Sequence, residues 1–181
     1  MNYYSGRPED CESRLPREVR VYDLLDSLGI EYGRVDHSPA ENMEDCVAID
    51  EALGAVMCKN LFLCNRRQTA FYLLLMPADK PFKTKDISAQ IRSARLSFGS
   101  AEKLGEYLDI MPGAVSVMGL MNDGENRVRL LVDSDLLGDE YLGVHPCVNT
   151  SSLKLKGADM FGPVLKAMDH DLIAVHLTGA E

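Results

Sequence analysis

The chain has 181 residues, of which 46% are hydrophobic and 26% charged, with a formal net charge of −9 at pH 7. This length and composition suit one globular domain, and no apolar run approaches the roughly 18 residues that cross a bilayer. The first residues form no apolar signal region, so we expect a cytoplasmic protein without a membrane partner. The acidic charge and the absence of a DNA-binding motif argue against DNA as a partner, but not against one RNA end held by a local basic surface.

The N-terminal half begins with a polar arm, residues 1–15, which has no periodic pattern, and the predicted domain spans 16–181. Apolar positions at helical spacing predict a helix over 16–28, with Gly29 as its stop. A strand over 30–35 and a helix over 44–53 that ends at Gly54 follow.

Two apolar runs, 58–64 and 70–76, flank a short polar loop and predict a β-hairpin. Neither run alternates cleanly, so the hairpin should be covered on both faces near the centre of the core. Lys59 stands where the first strand begins, a position that suits an anchor for an anionic or carbonyl-bearing ligand.

The second half mixes helices and strands. Thr84 is a predicted N-cap of a helix over 84–91, and Ser100 opens another helix. The Asn122-Asp123-Gly124 turn predicts a second hairpin between strands at 115–121 and 127–132. The remaining predicted elements are a strand at 96–98, a helical turn at 134–137, strands at 141–144 and 153–155, a helix at 157–168 and a strand at 172–177. The pattern indicates an α+β (mixed α/β) fold, a single domain with a central mixed, mostly antiparallel sheet surrounded by helices.

Common enzyme signatures are absent from the sequence. No Gly-rich dinucleotide loop, P-loop or GxSxG elbow occurs. The five cysteines include no CxxC pair, so neither a metal site nor a cofactor is expected.

Polar groups interrupt the apolar strands at three places, and each has a structural explanation as a turn, a strand end or a cap. The combination is more specific than any one part. The three are Lys59-Asn60, Pro112-Gly113 with Ser116, and Gly143-Val144-His145-Pro146 with Asn149.

A local run of positive charge lies between Asp79 and Lys103 in this acidic chain. Such a run suits RNA phosphate contacts, although it also occurs on ordinary solvated helices. Its candidate phosphate ligands are Lys80, Lys83, Lys85, Arg92 and Arg95.

Taken together, these motifs resemble the YbaK/prolyl-tRNA synthetase-associated editing domain family, and within it the freestanding prolyl-tRNA editing branch. The resemblance covers about residues 17–177, and this chain has Val117-Met118 where members often have Pro-Phe. The segments that carry it are Cys58-Lys59-Asn60-Leu61-Phe62-Leu63, Lys80-Pro81-Phe82-Lys83, Leu96-Ser97-Phe98-Gly99, Met111-Pro112-Gly113-Ala114-Val115-Ser116 with Gly119-Leu120, and Gly143-Val144-His145-Pro146.

The resemblance implies hydrolysis of a wrong aminoacyl ester, above all alanine, on the 3′ adenosine of proline tRNA, without metal or covalent nucleophile. It implies catalytic roles for Lys59, Gly113 and His145, and prolyl-tRNA synthetase as a further partner. From the chemistry, we expect amides around 113–116 to form an oxyanion hole, while His145 is open to a positioning or a proton-transfer role. The expected substrate-binding residues are Asn60, Pro112, Ala114, Ser116, Leu120 and Asn149.

Two other interpretations stay open at this stage. The protein could be a non-catalytic sensor or synthetase-associated module for charged tRNA ends, or it could prefer the cysteinyl ester. Pocket volume would decide the amino acid, because attraction of one methylene is worth only about 1–3 kcal/mol.

Overall fold

The structure, a computed structural model, describes residues 1–179, so the last two residues of the predicted domain lie outside the described range. Its strands form two sheets instead of the one central sheet expected. The four-stranded sheet has the order β1-β2-β8-β7 and is antiparallel throughout. Its strands are β1 (Tyr3–Ser5), β2 (Gly33–Asp36), β7 (Tyr141–Val144) and β8 (Ser151–Lys156).

The five-stranded sheet has the order β5-β3-β4-β6-β9. Strands β5, β3 and β4 pair antiparallel, whereas β4, β6 and β9 run parallel. Its strands are β3 (Lys59–Asn65), β4 (Phe71–Met76), β5 (Leu96–Phe98), β6 (Val128–Asp133) and β9 (Leu172–Val175).

The mixed α+β class is confirmed, and six helices accompany the sheets within the described residues. Single-turn 3₁₀ segments at Cys11–Ser13 and Ser134–Leu136 also occur, the second where a helical turn was predicted. The helices are α1 (Pro16–Ser27), α2 (Met43–Leu53), α3 (Thr84–Ser88), α4 (Ala101–Leu108), α5 (Gly157–Asp159) and α6 (Leu165–Ala167).

The predicted hairpin is confirmed as β3 and β4, with Lys59 opposite Met76 and Cys64 opposite Phe71. Every residue of β4 is buried, as expected for a strand covered on both faces. Ser100 caps α4 by accepting a hydrogen bond from the Lys103 amide. Residues of the expected polar arm lie in β1, which pairs with β2.

The prediction of a second hairpin between 115–121 and 127–132 was wrong. Residues Val117–Asn122 form a 3₁₀ helix, and β6 pairs with β4 in parallel. The apolar run from Val117 to Leu120 is buried on all sides, and a short buried run cannot be assigned to helix or strand by periodicity alone.

Two smaller predictions were also wrong. Thr84 does not cap α3 through its side chain, because its hydroxyl bonds to the backbone of Leu96 on β5. The helix expected over 157–168 is broken by a π-helical turn, Met160–Val164, in which Gly162 has non-helical angles and Pro163 lacks the amide donor of a regular helix.

The larger core contains residues of both sheets together with α1 and α4, and the smaller core covers the other face of the five-stranded sheet beneath α3. Consecutive residues of β3 therefore face different cores, Phe62 the larger one and Leu63 the smaller. Among residues 1–179, no helix is long and apolar enough to cross a membrane.

Candidate active site

The two sheets meet at the start of β3, where Lys59 lies. Met57 forms a parallel bridge with Gly143 of β7. The Cys58 amide donates to the Gly143 carbonyl at 2.9 Å, and the Gly143 amide donates to the Val56 carbonyl at 3.1 Å. A Cβ on Gly143 would lie 2.9 Å from both the Met57 Cα and the Val56 carbonyl oxygen, so this approach requires glycine. The bridge brings the segments of Lys59 and His145 to one place.

Hydrogen bonds join all three polar interruptions at that junction. The Asn60 side-chain oxygen accepts from the Val117 amide at 3.0 Å. The Ser116 hydroxyl donates to the His145 carbonyl at 2.5 Å and accepts from the Met118 amide at 3.1 Å. Ser116 thus caps the 3₁₀ helix, ties it to the end of β7 and has no exposed surface.

The Pro112-Gly113 turn lies at the surface beside Asn149. Gly113 has a φ of +91°, which favours glycine, and a Cβ there would lie 3.8 Å from the Asn149 side-chain nitrogen. The Ala114 amide closes the turn by donating to the Met111 carbonyl at 3.1 Å. Within the described residues, the amides of Gly113, Val115 and Ser116 donate to no protein acceptor. Gly113 is exposed and Val115 half-buried, whereas Ser116 has no exposed surface, so the first two amides are the ones open to a ligand oxygen.

His145 is half-buried and hydrogen-bonded at one ring nitrogen. Its Nδ1 lies 3.0 Å from the Ser151 carbonyl oxygen, which can only accept, so Nδ1 carries the proton. Burial lowers the pKa of His145 from its ordinary value of 6.5, and nearby His37 adds to this, while the Ser151 bond opposes it. The neutral ring therefore keeps a lone pair on Nε2, which can accept a hydrogen bond at neutral pH.

Behind His145, Ser151 connects the site to the N-terminal segment. The Ser151 hydroxyl donates to Asp36 at 2.6 Å, and Arg14 makes ion pairs with Asp36 at 3.0 Å and with buried Glu18 at 2.7 Å. Although burial opposes it, hydrogen bonds from Arg14, Arg34 and Ser151 hold the pKa of Asp36 well below its usual range. This network supports the backbone that positions His145.

The thiol next to Lys59 is not a nucleophile at neutral pH. Burial raises the pKa of Cys58 to about 12, and burial likewise raises the pKa of Cys147 to about 12. The thiolate is the reactive form, and a raised pKa keeps both half-buried Cys58 and buried Cys147 as neutral thiols at neutral pH.

The other predicted substrate-binding residues divide by exposure. Pro112 is exposed, whereas Ala114 is buried and Leu120 has no exposed surface. Leu120 lies in the 3₁₀ helix and packs that helix into the larger core. Lys59 itself is exposed at the first position of β3.

The predicted phosphate ligands differ in their exposure and in their ion pairs. Lys80 is engaged internally, because its ammonium group donates to Asp133 at 2.9 Å, pairs with Asp135 at 2.7 Å and reaches the Leu177 carbonyl. Lys85, Arg92 and Arg95 are exposed around α3 and β5, and Lys83 at the start of α3 is half-buried.

Within the described residues, Asp133, Asp135 and His176 bring one potential metal-ligand atom each to within 4.8 Å of one another. The Lys80 ammonium group already supplies a cation to both carboxylates there. The geometry is that of an internal ion pair which fastens the chain near Leu177 to the end of β6.

Sequence reasoning missed the groups that support the site from behind, Ser151, Asp36 and Arg14. Only the position of Ser151, two residues beyond Asn149, pointed towards them. It also missed Arg66 and Arg67, which are exposed in the β3–β4 loop close to the start of β5, since Asn65 pairs with Leu96.

Residues 37–161 match the family described as the aminoacyl-tRNA editing domain. The match covers the start of β3, the 112–116 turn and the end of β7. The chain belongs to this family, and the resemblance noted from its motifs is confirmed.

Named relatives agree with this membership. The chain is 32% identical over 157 residues to the prolyl-tRNA editing protein ProX of Acetoanaerobium sticklandii, covering 87% of this chain and 95% of that protein. It is 26% identical over 140 residues to prolyl-tRNA synthetase associated domain-containing protein 1 of Danio rerio, covering 76% of each. A crystal structure described as a candidate trans-editing enzyme for prolyl-tRNA synthetase has the same fold, with a TM-score of 0.66 at 15% identity over 91% of this chain and 99% of that one.

Proposed function

We propose that this protein deacylates mischarged proline tRNA, hydrolysing the ester between the 3′ adenosine and a wrong amino acid, with alanine preferred. The observation that carries the proposal is that Asn60, the neighbour of Lys59 at the start of β3, is tied to the segment that follows the 113–116 turn and thence to the His145 backbone by the Asn60–Val117 and Ser116–His145 hydrogen bonds. Membership of the editing-domain family and the likeness to a prolyl-tRNA editing protein support it.

An activated aminoacyl ester needs little more than a placed water and stabilisation of the developing oxyanion. In the proposed mechanism the Gly113 and Val115 amides receive that oxyanion, since Gly113 admits a close approach of the backbone. Lys59 holds the terminal nucleotide through its ribose or phosphate, and the vicinal ribose hydroxyl assists the attacking water. Neutral His145 accepts a hydrogen bond through Nε2 and so orients the water or the substrate amino group.

Alanine is smaller than proline, so a tight pocket admits the error and excludes the correct product by sterics. Steric exclusion discriminates more strongly than attraction, because attraction alone separates such substrates by only about 1–3 kcal/mol.

We also propose prolyl-tRNA synthetase as a partner, because it is the enzyme that would release the mischarged tRNA.

The test follows ester loss from Ala-tRNA(Pro), Cys-tRNA(Pro) and Pro-tRNA(Pro) with the wild type and with Lys59→Ala. The wild type should hydrolyse the alanyl ester fastest and spare the prolyl ester, and Lys59→Ala should lose activity while remaining folded. Lys166→Ala removes an exposed lysine of α6 and should leave the rate unchanged.

Three results would revise the proposal. Normal turnover by Lys59→Ala would remove Lys59 from its role. Faster loss of the cysteinyl ester would change the preferred substrate. If the protein hydrolysed none of the three esters, a sensor or synthetase-associated module would be favoured. That alternative stays open because this chain has Val117-Met118 where family members often have Pro-Phe.

A further inference from the structure

One exposed aromatic side chain has no role in the packing of either core. Phe98 on the edge strand β5 is 64% exposed, and its ring lies 5.9 Å from that of half-buried Phe82. Phe82 and Phe98 are here called the aromatic shelf. A large exposed aromatic side chain on an edge strand is typical of a binding surface.

The shelf shares a face of the sheet with Lys59. Side chains alternate along a strand, so Lys59, Leu61 and Leu63 all point to one face of β3. Phe98 is the direct partner of Leu63 and therefore projects from that same face. Lys59 and Leu63 are four residue steps apart along β3, a span of roughly 13 Å. At about 3.4 Å per stacked nucleotide, a few nucleotides cover it.

Positive charge lies just beyond the shelf. Thr84 and Leu96 are joined by two hydrogen bonds, of 2.8 and 3.2 Å, so the neighbouring residues Lys85 and Arg95 flank one spot at the start of β5. Arg66 and Arg67 lie in the loop that follows Asn65, the residue paired with Leu96. These four exposed cations stand out in a chain of net charge −9.

The direction of β3 thus runs from Lys59 past the aromatic shelf to the four exposed cations. This order fits a single strand of nucleic acid that enters from a duplex, because phosphates need cations while unpaired bases stack on aromatic faces. We propose that the aromatic shelf stacks an unpaired base of the tRNA 3′ end, between the terminal nucleotide at Lys59 and the duplex phosphates at Lys85, Arg95 and the β3–β4 loop. The inference rests on the proposed function and adds a base-stacking site to it.

The test uses an uncharged RNA hairpin with a single-stranded CCA 3′ end and 2-aminopurine placed singly at each unpaired position. Stacking on the shelf should quench the fluorescence at one internal position when the wild type binds. Phe98→Leu should weaken binding by about 5- to 150-fold, the range for loss of one stacked base, and Phe98→Tyr should retain wild-type affinity. Ile173→Ala on β9, the opposite edge strand, truncates another exposed apolar residue and should have no effect.

With Ala-tRNA(Pro), Phe98→Leu should raise KM by a similar factor and leave kcat nearly unchanged, because the shelf lies away from the ester. Any of three results would overturn the proposed role of the shelf. Phe98→Leu could bind the hairpin as tightly as the wild type, Phe98→Leu and Phe98→Tyr could lose affinity equally, or the wild type could fail to bind the hairpin. A dimer in sedimentation that Phe98→Leu dissociates would assign the surface to a second copy instead. Hairpin binding with normal quenching but no hydrolysis of any ester would contradict the proposed function and leave the shelf standing.

Discussion

His145 shows how its surroundings determine the state of one residue. Its Nδ1 proton is committed to the Ser151 carbonyl, and burial disfavours the charged ring. Between pH 6.5 and the lowered pKa, an unfolded chain binds a proton at this histidine and the folded chain does not. Folding stability from this group therefore falls as the pH drops below 6.5, and the neutral ring with its Nε2 acceptor persists to lower pH than in a peptide.

The first prediction concerns the pH dependence of hydrolysis. If neutral His145 orients the water or the substrate, the acid limb of kcat/KM should have its midpoint below pH 6.5. His145→Ala should lower kcat/KM by about 100-fold and remove that limb. Titration of the substrate amino group is common to both proteins and cancels in the ratio of the two profiles.

A matched variant tests the cause of the shift. The charge of His37 helps to lower the pKa of His145, so His37→Gln should move the acid limb upward without removing it. A limb that persists unchanged in His145→Ala would show that another group titrates.

Among the elements, β7 joins the two sheets, and it does so through Gly143. The neighbours of a Cβ at Gly143 include backbone atoms of Met57 and Val56, which cannot rotate away. The start of β3, and Lys59 with it, therefore depends on the absence of one methyl group in β7.

The second prediction is a pair of glycine substitutions. Gly143→Ala should lower the free energy of unfolding by about 1–3 kcal/mol and reduce deacylation more than this stability loss explains, because the Lys59 segment must shift. Gly105→Ala adds the same methyl group in the middle of α4, where nothing lies within 4 Å, and should stabilise the protein by about 0.5–1 kcal/mol. Chemical denaturation measures both. Equal stability of the two variants would contradict the close-approach argument.

On the scale of the whole molecule, the distribution of charge matters more than its sum. Arg14 makes ion pairs with Asp10, Glu18 and Asp36 in the N-terminal part of the chain. The exposed cations Lys85 and Arg95 lie instead at the β5 edge. An acidic protein can thus present a basic surface to an RNA duplex.

The third prediction is the salt dependence of tRNA binding. Neutralising one cation that pairs with a phosphate should reduce the slope of log K against log salt by about 1, so Lys85→Gln/Arg95→Gln should flatten it by about 2. Lys156→Gln/Lys166→Gln changes the net charge equally, at exposed positions away from that surface, and should leave the slope unchanged. If both double variants flatten the slope alike, bulk charge and not the β5 edge governs binding.

Several features follow from local sequence alone. The β3–β4 hairpin, the helix that ends before Gly54 and the Ser100 cap are specified by apolar runs, a residue with positive φ and a hydroxyl near free amides. These are short-range effects of residue type, so a linear reading finds them. The ordered motifs around Lys59, Gly113 and His145 likewise identified the family.

Other features were decided only by tertiary structure. The 3₁₀ helix at 117–122 begins at the Ser116 cap and is held to β3 by the bond between the Val117 amide and Asn60. A long connection lets β6 run parallel to β4. The ion pairs of Lys80 withdraw that lysine from the surface, and the Ser151–Asp36–Arg14 network reaches His145 from distant parts of the chain. Each depends on which partner a buried or charged group meets, and residues far apart in sequence supply those partners.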